Sequence, residues 1–362
     1  MSADQATANR QSHRWSWWLL PLLLAAFAAY VIGRHLFVPV NAWYQAASDN
    51  LGPEPVAAIF IGQSWTGAAI DISTARDAIS QAWGRPVQCL NLGQGGSSLP
   101  GHYLGLRHLA RRHPNRMKGC TVFVEAPCGL PSGVSWQEPW MAHNLWLLAS
   151  LLEPADLPRL WASQTRFGDK LSLTAQCWFP GLVGPLNRAG MRDLVFTRGR
   201  QFVSRLTTRL VPEAPRPAAP VDLAQAGGIR TDTVWVERVR QQVQQSGPQG
   251  LLRDMPTGDW WPGSVVRDLA RLVGEWEGRV VVFTMPMSPV CDPACQDPGV
   301  AREKARFRAL ARAEEVEVLE VDFPTGKEDF PDLWHLAQSR APDFTRRLLA
   351  SWLASHPRPA SD

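Results

Sequence analysis

The sequence predicts an α/β fold in which a parallel sheet is covered by helices on both faces. Three observations predict it: five short apolar runs, helix-period segments between most of them, and glycine-rich or polar residues just after each run. The runs are VAAIFIG from Val56, PVQCLNLG from Pro86, CTVFVEAP from Cys120, RVVVFTMP from Arg279 and VEVLEVD from Val316. A strand exposed on one face alternates apolar with polar residues, whereas these runs are nearly unbroken, as strands buried on both faces require. SVVRDLARLVGEWEG sets Val265, Val266, Leu269, Leu272, Val273 and Trp276 on one helical stripe, and DFTRRLLASWL does the same with Phe344, Leu348, Leu349 and Trp352. Strand followed by helix, repeated, is the signature of parallel strands joined by crossovers.

Composition narrows the function classes. Of 362 residues, 45% are hydrophobic and 19% charged, an ordinary globular balance that excludes disorder for most of the chain. The net charge of +4 comes from scattered arginines such as Arg107, Arg111 and Arg112, with no basic run interleaved with aromatics. Nucleic acid is therefore not an expected partner. No His-Glu-x-x-His or comparable cluster occurs among the eight histidines, so neither a metal nor another cofactor is expected.

WSWWLLPLLLAAFAAYVIG, residues 15–33, carries no charge. As a helix it reaches roughly 28 Å, about one hydrocarbon core. Arg10 and Arg14 precede it and Trp15, Trp17 and Trp18 sit at its start, the pattern of a cytoplasmic flank and an interfacial aromatic belt. Residues 1–14 then read as a cytoplasmic tail, 15–33 as a single-pass anchor in the inner (cytoplasmic) membrane and 34–55 as a linker. Residues 56–355 form the extracytoplasmic, periplasmic domain, and 356–362 a tail. Ala26-Phe27-Ala28 offers the alternative of a cleaved signal peptide, which exports the domain equally. Cys291 and Cys295 form the one local cysteine pair, open to closure as a small staple in an exported chain; with no second pair nearby, zinc is not expected.

In open parallel sheets the site forms outside the carboxyl ends of the strands. The first run delivers Gly62, Gln63 and Ser64; the second delivers Asn91 and NLGQGGSS; the third delivers Glu125; the fifth leads on to PDLWHL, with Asp332 and His335. A serine hydroxyl becomes a useful nucleophile when an imidazole takes its proton, and the imidazole needs a carboxylate to fix its tautomer. Three-residue spacing lets Asp332 meet one nitrogen of His335 while the other faces Ser64. Glycines let backbone N–H groups approach a developing oxyanion, with Gly96 placed to add its donor to that of Ser64. The α/β-hydrolase elbow Gly-x-Ser-x-Gly is missed by one residue in GQSWTG.

Gly62-Gln63-Ser64, the Asn91 to Ser98 turn with Gly96, and Asp332-x-x-His335 resemble the first, second and fifth blocks of the SGNH (GDSL-like) hydrolase superfamily. The N-terminal apolar segment, VVVFTMPMSP and DLWHLAQSRAPDFTRRLL are most similar to its membrane-tethered branch, which contains the teichoic-acid D-alanylation protein and the alginate O-acetylation proteins. The resemblance covers residues 56–130 and 279–353. It implies a three-layer α/β/α sandwich, a Ser64, His335, Asp332 site and acyl-ester chemistry on envelope polymers. It also implies a polysaccharide acceptor and a multi-spanning membrane acyltransferase as acyl supplier.

Two departures accompany it. The superfamily's third block supplies an oxyanion-hole asparagine, but the corresponding strand end reads VEAPCGL. The hole is then expected to rest on backbone donors, with Glu125 and Asn91 as candidates for holding substrate and Glu125 gripping a sugar hydroxyl. After His335, the Asn and Gly common in the tethered branch are Ala337 and Arg340. Residues 131–262 resemble nothing further. This helical insertion carries Trp136, Trp140, Trp146, Trp161, Trp178 and Trp260-Trp261, beside a proline-rich stretch from Val211. It is expected to overhang the site as a lid or acceptor groove, or to pack as a subdomain of its own. The expected function is O-acyl transfer, O-acetyl above all, to an exported polysaccharide through an acyl-serine. A carbohydrate esterase and a non-catalytic polysaccharide-binding or assembly protein are the alternatives.

Overall fold

The computed structural model describes residues 42–93, 97–131, 136, 151–163, 167–178, 261–291, 295–332 and 335–356, with isolated helical positions between 20 and 28. Five parallel strands make one sheet: β1 (Val56–Ile61), β2 (Gln88–Asn91), β3 (Thr121–Ala126), β4 (Arg279–Thr284) and β5 (Glu317–Leu319), in the order β2-β1-β3-β4-β5. Each strand falls within one of the five apolar runs. β1 and β3 are buried along their whole length, as central parallel strands are, while β5 at the edge is three residues long and half-buried.

The pleat sends alternate residues to opposite faces. Ala58 and Phe60 of β1, Phe123 of β3, and Val281 and Phe283 of β4 share one cluster with α3 (Ile72–Trp83) and α10 (Ala341–Ser355). Phe123 stacks on Phe60 at 4.8 Å and meets Trp352 edge-on at 5.3 Å. Such aromatic pairs add about 0.5–1.5 kcal/mol each beyond the area they bury. A second helical group joins α1 (Ala42–Asp49), α4 (Leu99–Arg112) and α8 (Val265–Gly274). Between α4 and β3 lies the short α5 (Pro114–Met117), and α9 (Pro298–Ala313) packs beside β5. All four residues of the Phe344 to Trp352 stripe are buried. On the other stripe, Trp276 falls in the turn beyond α8, because the helix ends at Gly274.

Local signals place the ends of these helices. Asp71 Oδ1 accepts the Thr74 amide at 2.7 Å to start α3, and Gly84, in the left-handed conformation, ends it. Asp297 caps α9 ahead of Pro298 in the first turn. Residues 42–49, read from sequence as linker, instead form α1, and Tyr44 is buried against α4 where Gly105 leaves room for its ring.

The described residues fall into two units, one holding the sheet and the other residues 151–163 and 167–178. In the second unit α6 (Leu157–Ser163) packs with α7 (Phe167–Trp178), and the Trp161 indole N–H donates to Thr174 Oγ1 at 2.9 Å. In the sheet unit, Trp136 and Trp261 are buried against Tyr103 and Phe307, so both are packing residues. Trp140, Trp146 and Trp260 lie outside the described residues. Most of the apolar segment 15–33 does too; no helix among the described residues is long and apolar enough to cross a membrane.

The pairing of Cys291 with Cys295, left open by the sequence, does not form. Cys295 is bridged to Cys128, 167 residues away in sequence, with Cα atoms 4.9 Å apart. Cys128 follows β3 and Cys295 lies beyond the neighbouring β4, so strand pairing brings them together. Cys291 closes the 3₁₀ turn Pro289–Cys291, and its side chain is buried.

Candidate active site

At the carboxyl end of β1 the chain turns through Gly62 and Gln63, and Ser64 opens α2 (Ser64–Ala69). On the far side, the segment after β5 passes through a 3₁₀ turn at Lys327–Asp329 and presents Asp332 and His335. The Ser64 hydroxyl donates to His335 Nε2 at 2.7 Å. His335 Nδ1–H donates to Asp332 Oδ2 at 2.6 Å, and the His335 amide donates to Asp332 Oδ1 at 2.7 Å. Asp332 is 0% exposed and accepts from both the ring and the backbone of the residue it orients. With its proton on Nδ1, the imidazole has a lone pair on Nε2 aimed at the serine, the arrangement a general base requires. Buried Phe330 and Leu336 anchor this loop on either side. Arg340 pairs with Asp329 at 3.0 Å and lies 5.0 Å over the Phe323 ring, while the Ala337 amide donates to Asp329 O. The two departures after His335 thus take part in bracing the loop.

The Gln63 to Thr66 turn rests on Glu125. Its Oε1 accepts from the Gln63 amide at 2.6 Å, and its Oε2 accepts from the Thr66 amide at 3.1 Å and the Thr66 hydroxyl at 2.6 Å. Any Cβ on Gly62 would overlap this carboxylate, so glycine is needed there for close approach. Burial pushes the Glu125 carboxyl above the usual range, against the pull of the donors on Thr66 and Gln63 and of His335. Asn91 is also committed: its Nδ2 donates to Thr66 O at 3.2 Å and Ile70 O at 3.1 Å, and its Oδ1 accepts from Gly93 N at 3.0 Å. The expectation that Asn91 and Glu125 hold substrate is therefore corrected. Both are buried and spend their polar atoms on the turn.

Sequence reasoning missed His102, which sits behind this turn on α4. Its Nε2 lies 2.9 Å from Gly62 O, an atom that only accepts, so Nε2 carries the proton. Tyr44 OH then donates to Nδ1 at 2.8 Å, and Ser97 Oγ donates to the same Gly62 carbonyl at 2.7 Å. Burial pushes the His102 pKa down to about 4, so the ring is neutral at pH 7. A folded-state value below the ordinary 6.5 means that the unfolded chain binds a proton the native state refuses. The contribution to stability is then full above about pH 6.5 and is lost as pH falls toward 4, by about 3 kcal/mol. Thermal unfolding between pH 7.5 and 5 should fall less steeply for His102→Gln than for wild type. Equal slopes would show that His102 does not remain neutral.

Gly96, with Gln94 and Gly95, lies outside the described residues. The Ser64 amide stands in the first turn of α2, where an N–H has no intrahelical acceptor. A cavity of about 910 Å³ runs along the outer edge of β2; Gly67 and Gln338 line it, but Ser64 and His335 do not. Among the described residues no group of three or more His, Cys, Asp or Glu is arranged to hold a metal ion. Compared with known proteins, the chain matches no protein-family model and no curated protein.

Proposed function

We propose that this chain is a serine-dependent O-acyltransferase, most simply an O-acetyltransferase, acting on a cell-envelope or exported polysaccharide. The carrying observation is the hydrogen-bonded run from Ser64 through His335 to Asp332 at the carboxyl edge of the sheet. Ser64 Oγ attacks the acyl carbonyl while His335 Nε2 takes its proton. The oxyanion is met by the Ser64 amide and, in this reading, by that of Gly96. His335 returns the proton to the leaving group, and a sugar hydroxyl, deprotonated in turn by His335, takes the acyl group from Ser64.

The parallel sheet with two helical groups fits the SGNH-like α/β/α sandwich that the sequence blocks suggest. The strand end VEAPCGL lacks the asparagine that the superfamily's third block supplies to the oxyanion hole. Losing one such donor typically costs 10²–10³ in turnover, which suits a slow polymer-modifying transferase better than a fast esterase. The Cys128–Cys295 bridge suits an oxidising compartment, in keeping with anchorage by residues 15–33 and a periplasmic domain. Acyl groups would then come from across the membrane, supplied by a multi-spanning acyltransferase.

The test is incubation of the full chain in detergent with an activated acetyl ester, with and without oligosaccharide, following free acetate and acetylated sugar separately. Transfer predicts that sugar acetylation grows at the expense of acetate as oligosaccharide is added. Acetate alone would make the protein an esterase. No turnover, with polysaccharide binding unchanged by Ser64→Ala, would make it a binding module.

A further inference from the structure

We propose that Glu125 is a positioning residue, whose ionised carboxylate fastens the Gln63 to Thr66 turn in the arrangement that aims Ser64 at His335. This rests on the acyl-serine reading of the site. Helix α2 has only six residues, too few to hold its own shape in water. Its cap residue Gln63 makes no side-chain bond to the helix. The capping role passes to a carboxylate from the neighbouring strand β3, which takes one amide before Ser64 and one after it, plus the Thr66 hydroxyl. Ser64 is thereby held between two fixed points.

An anion serves all three donors at once. The Gln63 and Thr66 amides only donate, and each is directed at a different carboxylate oxygen. A carboxylate accepts from both with full charge; a protonated carboxyl accepts more weakly, and a carboxamide turns an NH₂ that cannot accept toward one of the two amides. The ionisable groups near Glu125 are His335, with Asp332 behind it, and the neutral His102, which lines the same small space beside Gly62 and Ser97. Glu125 is 2% exposed, so contact with a polymer substrate does not account for it.

The test is the second-order rate of fluorophosphonate labelling at Ser64 in the full chain, across pH, for wild type and Glu125→Gln. At neutral pH the rate should fall about 10²-fold, the effect of a reacting group displaced by about an ångström. The ratio of wild type to variant should shrink as pH falls, because protonation takes from wild type the charge that glutamine lacks at every pH, whereas a residue that only fills space gives a constant ratio. A ratio near one, or one constant with pH, would overturn the proposal. Failure of wild type to label at all would instead overturn the acyl-serine reading. If Glu125→Gln does not fold, Thr66→Val serves, since it removes one donor and keeps the carboxylate. It should label several-fold more slowly at a temperature well below its melting transition, and labelling equal to wild type there would count against the clamp.

Discussion

Ser64→Ala is expected to abolish fluorophosphonate labelling and acyl turnover, and His335→Ala to lower both by about 10⁴- to 10⁶-fold. The size follows from the geometry. The hydroxyl meets Nε2 at 2.7 Å, so proton removal and attack can occur together. Without the imidazole, a serine with a pKa far above neutrality must react unassisted. Ser64→Ala should cost little stability, because the hydroxyl is only partly buried; His335→Ala takes one donor from the buried Asp332 carboxylate, so labelling is compared well below its melting transition. A His335→Ala protein that labels within tenfold of wild type, with matching thermal melts, would remove His335 from the chemistry.

The second large effect is expected at Asp332. Its two oxygens accept from the His335 amide and from Nδ1–H. Asparagine keeps the shape but sets an NH₂ against one of those donors, and the ring relaxes toward the tautomer with its proton on Nε2. That nitrogen can no longer accept from Ser64. A loss of about 10⁴-fold in labelling rate is expected for Asp332→Asn, with the imidazole still present. Because Asp332 is fully buried, the melting temperature must be measured alongside. A rate unchanged while the protein stays folded would mean that the carboxylate serves the loop and not the base.

The parts of this arrangement that were legible in the sequence are those set by short-range pattern. Unbroken apolar runs announced the strands, and the rule that open sheets place chemistry at their carboxyl ends singled out Ser64 and the Asp332 to His335 turn. The bridge from Cys128 to Cys295 was not legible, because it depends on β3 and β4 lying side by side, a fact the spacing of Cys291 and Cys295 cannot report. Glu125 left a signal that was misjudged. A lone carboxylate inside VFVEA, a run otherwise fit for full burial, implies nearby donors to compensate it, and these are on the nucleophile turn. His102 left no such mark, since a histidine on an amphipathic helix is ordinary until Tyr44 and Gly62 O are seen on its two nitrogens.

Ser64 and His335 are 271 residues apart in the chain, and that separation governs when the site comes into being. β1, which leads into the turn that carries the serine, lies in the first third of the sequence. The base and its carboxylate arrive only after β5, the last strand to be made. A ribosome-bound or prematurely terminated chain can present the Ser64 turn, but it has nothing to activate it until residue 335 has emerged and the segment after β5 has docked. Joining such distant segments carries the loop-closure cost of a high-contact-order fold, so the hydroxyl should gain reactivity among the last events of folding. Nicked or shortened forms lacking the Asp332 to His335 turn would keep the Ser64 hydroxyl without the imidazole it meets at 2.7 Å.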